Sequence, residues 1–99
     1  MGDHHEELDE YRSSIDNIDA ALIHLLAERF KITHRVGAYK AEAGLPAADH
    51  EREAEQVTRM RSLAEEAGID PVFSEKFLRF VIDEVIRHNT EVRSRESEG

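Results

Sequence analysis

Between Glu7 and Ala43 the chain has no proline and only one glycine, and apolar residues recur at spacings of three and four throughout. That pattern specifies one continuous amphipathic helix, ended by Gly44 and Pro46. Roughly 37 residues of helix run to about 55 Å at 1.5 Å per residue. A chain of 99 residues is expected to fold to a radius of gyration of about 13 Å. The helix is therefore too long for its own domain. An amphipathic helix that projects from its domain calls for a partner chain, so the expectation is a helical dimer.

The remainder divides at strong punctuation. "GLPAAD" is a loop, and Asp49 is a suitable N-cap for a second helix over roughly 50–67, with apolar positions Val57, Met60, Ala64 and Ala67. Gly68 stops it. Asp70 and Pro71 supply the N-cap and first residue of a third helix. Its apolar stripe reads Phe73, Phe77, Phe80, Val81, Val85 and Val92, which marks the three phenylalanines as core. The fold class is all-α, with one long and two shorter helices in a single domain spanning residues 1–99. Residues 1–6 and 94–99 are expected to be flexible polar tails.

Composition narrows the function. The net charge of −9 opposes nonspecific nucleic-acid binding, because a phosphate backbone would be repelled. No apolar run is long enough for a membrane span, and no signal-peptide pattern opens the chain. Absence of cysteine excludes disulfides and thiolate metal sites and fits a reducing cytosol. The six histidines make no zinc motif, since "HEREA" is not His-Glu-x-x-His. His24 and His34 are poorly aligned, and His50 and His88 lack an evident mate. No metal and no cofactor is expected.

Against this acidic background the long helix turns cations toward its own apolar stripe. Tyr11, Ile15, Ile18, Leu22, Leu25, Ile32 and Val36 form that stripe, and Arg29 and Lys40 fall in its rhythm. Eleven residues separate the two, which returns them to within about 20° of one face. A cation buried without a partner costs several kcal/mol, so an anion must meet them, whether a protein carboxylate or a ligand. The second helix adds Arg52, and Glu53 sits four residues before Val57 on the buried stripe. Asn89 follows Val85 by four on the third helix. If these faces meet, they form an enclosed cationic pocket. Arg12 lies about 25 Å along the helix from Arg29 and would serve a partner's site if two long helices pack antiparallel.

These residues carry a resemblance. "YRSSIDNIDAALIHLLAERF", "VGAYK", "DHERE" and "FLRFVIDEVIRHN" are similar, in order and spacing, to the all-helical chorismate mutase family over about residues 8–92. The resemblance implies an intertwined homodimer with two sites, each taking one arginine, here Arg12, from the other subunit. It implies that Arg29 pairs with a substrate carboxylate and that Lys40 contacts the ether oxygen and a carboxylate. Asp49 and Glu53 would hold the ring hydroxyl, and Arg52 is the second-helix arginine of the site. Val85 stands where some members have a hydroxyl residue. Asn89 stands where many have Gln or Glu facing the ether oxygen, and it is one methylene shorter than Gln.

The implied reaction is the pericyclic conversion of chorismate to prephenate in phenylalanine and tyrosine synthesis. It needs no nucleophile, general base or metal. Isochorismate pyruvate lyases resemble the same fold and share the counterparts of Arg12, Arg29 and Lys40, but the acidic pair Asp49 and Glu53 favours the mutase. An amino analogue, as in an aminodeoxychorismate mutase, would suit that pair equally. A non-catalytic helical dimer that regulates a shikimate-pathway enzyme is the rival of another class. Small mutases of this family can depend on such a larger partner.

Overall fold

A computed structural model describes residues 3–98. Among these residues the chain has three helices and no strand: α1 (Asp3–Ala43, 41 residues), α2 (His50–Ala67, 18 residues) and α3 (Pro71–Glu98, 28 residues). Two bounds differ from the sequence expectation. Helix α1 begins at Asp3 rather than near Glu7, and α3 continues through residues 94–98, where a polar tail was expected. Polar, charged sequence does not oppose helix, and Glu and Arg are good helix formers. The outermost tail residues, 1–2 and 99, lie outside the described residues, as does the side chain of Val92.

The helix ends follow from local chemistry. Gly44 adopts φ 71°, and the N–H groups of Leu45 and Gly44 donate to the carbonyls of Lys40 (2.8 Å) and Ala41 (3.3 Å). This is a Schellman closure, in which glycine takes the left-handed conformation without a Cβ penalty. Gly68 ends α2 in the same way at φ 78°, with Ile69 and Gly68 donating to Ala64 and Glu65. Asp70 caps α3 by accepting from the Val72 N–H at 3.0 Å, and Pro71 follows at the first helical position, where its missing N–H costs nothing.

The chain forms two compact units, one up to Ile32 and one from Thr33 onward. The first is helix alone. In the second, α2 and α3 pack together as a helical hairpin across the short turn at 68–70. Its core consists of Val57 and Ala64 from α2 with Ser74, Leu78 and Val81 from α3. Buried Ser74 is satisfied by donating its hydroxyl to the Pro71 carbonyl at 2.9 Å. Glu75 accepts from Arg61 of α2 at 2.9 Å and from Arg79 of its own helix at 3.0 Å.

The face of α3 that packs is one residue on from the one the aromatic pattern suggested. Ser74, Leu78 and Val81 are buried, whereas Phe73, Phe77 and Phe80 are 60%, 41% and 71% exposed. One residue of helix is about 100° of rotation, which takes the phenylalanines out of the hairpin seam. The stripe on α1 is likewise open on the single chain: Ile18 is 60% and Leu25 68% exposed, and Tyr11, Ile15, Leu22, Ile32 and Val36 are exposed with them.

Candidate functional site

In the first unit, Arg12 is exposed on α1 and Arg29 is half-buried. The Nη1 atom of Arg29 is buried and has no hydrogen-bond partner. A guanidinium is charged at any accessible pH, and leaving one of its donors dry and unmatched costs more than an ordinary missing hydrogen bond. This is the one buried side-chain nitrogen or oxygen left unmatched among the described residues.

In the second unit, Lys40 is half-buried in the last turn of α1. Its ammonium forms no ion pair among the described residues. One turn back is Gly37, which is buried. A Cβ built on Gly37 would stand 2.5 Å from Nδ2, 2.6 Å from Cγ and 2.8 Å from Oδ1 of Asn89. Helix α3 therefore lays the whole Asn89 amide on the bare backbone of α1. Gly37 and Lys40, three residues apart, are neighbours on one helix surface. The structure thus brings Asn89 of α3 against the segment of α1 that carries Lys40. Val85, one turn before Asn89, is half-buried.

The first turn of α2 holds the remaining candidates. Asp49 is the N-cap, with extended backbone (φ −136°, ψ 94°), and its Oδ1 accepts from the Arg52 backbone N–H at 3.1 Å. Capping uses one carboxylate oxygen and leaves the carboxylate exposed. Arg52 is exposed, with Nη1 3.5 Å from Glu55. Glu53 is half-buried, as its spacing from Val57 requires, and its Oε2 lies 3.4 Å from His50 Nδ1.

Two relationships escaped the sequence. The single glycine inside α1 carried a signal, because glycine in a helix interior costs about 1 kcal/mol relative to alanine and its backbone here is not left-handed. Its purpose is space, which only the approach of α3 reveals. The second is the His34–His88 pair, with ring centroids 5.5 Å apart and planes tilted by 49°. The sequence left His88 without a mate because the two residues are far apart along the chain. Among the described residues no group of three or more histidine, cysteine, aspartate or glutamate side chains could hold a metal ion, and no helix is long and apolar enough to cross a membrane.

Comparison with known proteins places the sequence among relatives. A chorismate mutase from Methanocaldococcus jannaschii is 35% identical over 78 residues, covering 79% of each chain. The T-protein of Enterobacter agglomerans is 41% identical over 78 residues, which cover 79% of this chain and 21% of that protein. A bifunctional chorismate mutase/prephenate dehydratase from Aquifex aeolicus is 38% identical over 81 residues, covering 82% of this chain and 22% of that one. The chain thus spans about a fifth of the length of the T-proteins it matches. Residues 11–90 match the Chorismate mutase type II family, and with most of its length so covered the chain belongs to that family.

Proposed function

We propose that the protein is a chorismate mutase that converts chorismate to prephenate. The observation that carries this reading is the dry, unmatched guanidinium nitrogen of Arg29, in a chain of net charge −9 that belongs to this family. An acidic protein keeps such a cation only where an anion completes it. Chorismate is a dianion, and Arg29 and Lys40 supply a cation for each carboxylate, with Arg52 and a partner's Arg12 adding to the field. Asp49 and Glu53 accept from the ring hydroxyl.

The rearrangement breaks a C–O bond and forms a C–C bond in one cyclic step, so no proton changes hands with the protein. The side chains have two tasks. The first is to hold the enolpyruvyl group folded over the ring, and orientation of this kind contributes up to about 7–11 kcal/mol in favourable intramolecular cases. The second is to stabilise negative charge growing on the ether oxygen. The Lys40 ammonium and the Asn89 amide serve that oxygen, and one preorganised donor of this type is worth about 3–4 kcal/mol.

The working unit is a homodimer. Apolar side chains lie open along α1 and at Phe73, Phe77 and Phe80 of α3, far more than the scattered exposure usual for a monomer. Pairing of long helices covers this surface and brings Arg12 to the partner's site. We place the enzyme in the cytoplasm, with a larger shikimate-pathway enzyme as an additional partner.

The test is incubation of purified protein separately with chorismate and with isochorismate, followed by product identification. Prephenate from chorismate is expected. Release of pyruvate from isochorismate without prephenate formation would assign a lyase instead. An inert protein would leave the regulatory reading.

A further inference from the structure

We propose that Gly37 is a positioning residue for the reaction, acting through Asn89; this rests on the mutase reading above. Helix α1 has every local reason to carry alanine at this point, because the backbone there is ordinary right-handed helix. Glycine removes the one atom that would collide with all three atoms of the Asn89 amide group, at 2.5, 2.6 and 2.8 Å. The amide is thereby seated flush on α1, one turn from Lys40. Among the described residues it makes no side-chain hydrogen bond of its own. Packing, rather than a hydrogen-bond partner, therefore fixes its position, and its polar atoms stay available to a ligand.

The contact has a specific mode of failure. The amide is the end of a short side chain with two rotatable bonds. A methyl group at position 37 turns the amide away sooner than it forces the helices apart. Gly37→Ala thus leaves the fold standing and misplaces one donor by an ångström or more. It should act on the chemical step more than on substrate capture, which Arg29, Arg52 and the partner's Arg12 continue to provide.

The experiment is a double-mutant cycle of Gly37→Ala and Asn89→Ala in the full-length chain, read by kcat and KM for chorismate and by thermal melting. Gly37→Ala is expected to lower kcat by about 10- to 100-fold while KM moves by less than about threefold. Asn89→Ala should lower kcat comparably. In the double variant the losses should not multiply, because a residue that works only through Asn89 has nothing to act on once the amide is gone. In melting, removal of the amide should relieve whatever destabilisation Gly37→Ala causes, and if that single variant fails to fold the double variant should fold. Wild-type kcat in Gly37→Ala, or losses that multiply, would overturn the positioning role. Absence of coupling in the melting cycle would overturn the contact itself. Wild-type protein that leaves chorismate unchanged defeats the mutase reading and the positioning role with it, while the melting cycle still judges the contact.

Discussion

Arg61 of α2 donates through Nη1 to Oε1 of Glu75 on α3, at 2.9 Å, so the hairpin seam is closed by a charge-assisted bond between helices. Arg79 takes the other carboxylate oxygen at 3.0 Å. Both guanidiniums lower the Glu75 pKa from its ordinary value of 4.5, Arg79 foremost. A carboxylate with a depressed folded-state pKa adds stability above its unfolded pKa and loses it as pH falls through the folded one. Wild type should therefore outlast Glu75→Gln at neutral pH, and the gap in melting temperature should shrink steadily below about pH 4.5. A gap that persists unchanged to pH 2 would contradict this account.

Asp49 has a structural task that is separable from any role with substrate. Asp49→Ala removes the cap on the Arg52 N–H and should cost about 1 kcal/mol, or about 4–8 °C in melting temperature for a domain of this size. Asp49→Asn keeps a capping oxygen and should melt close to wild type. If Asp49 also holds the ring hydroxyl, both variants should raise KM for chorismate, and a normal KM in both would leave Asp49 as a cap alone.

Lys40→Ala should reduce kcat by about 10²–10³-fold while circular dichroism keeps its helical signal, since Lys40 is half-buried and makes no ion pair among the described residues. Activity near wild type in that variant would remove the electrostatic assignment.

A site shared between subunits makes a distinctive demand. Arg12→Ala and Arg29→Ala should each be inactive as homodimers. Mixed after subunit exchange, they should regain about a quarter of wild-type activity, because half the dimers are mixed and each restores one site of two. Exchange proven by mass labelling with no recovery would exclude the shared site.

The apolar face of α1 should be an interface. Wild type should sediment as a dimer. Replacing Ile18 and Leu25, which are 60% and 68% exposed on the single chain, by glutamate should give monomers with a lower melting temperature. Dimers that survive both changes would place the interface elsewhere.

Much of this was legible in the residues themselves, wherever the information is local. The long periodic run, the left-handed glycines at 44 and 68, the aspartate caps at 49 and 70 and Pro71 fix where three helices start and stop, because caps and breakers act within one turn of backbone. Spacing put Arg29, Lys40, Glu53 and Asn89 on the apolar faces of their helices, and the structure leaves each of them half-buried. Tertiary packing decided the rest. Rotation by one residue turned Phe73, Phe77 and Phe80 out of the seam and put Ser74 and Leu78 into it with Ala64 of α2, a choice that the hydrophobicity of one helix cannot make. The seat of Asn89 on Gly37 joins positions 52 residues apart, and no periodicity within a helix reports a contact across helices.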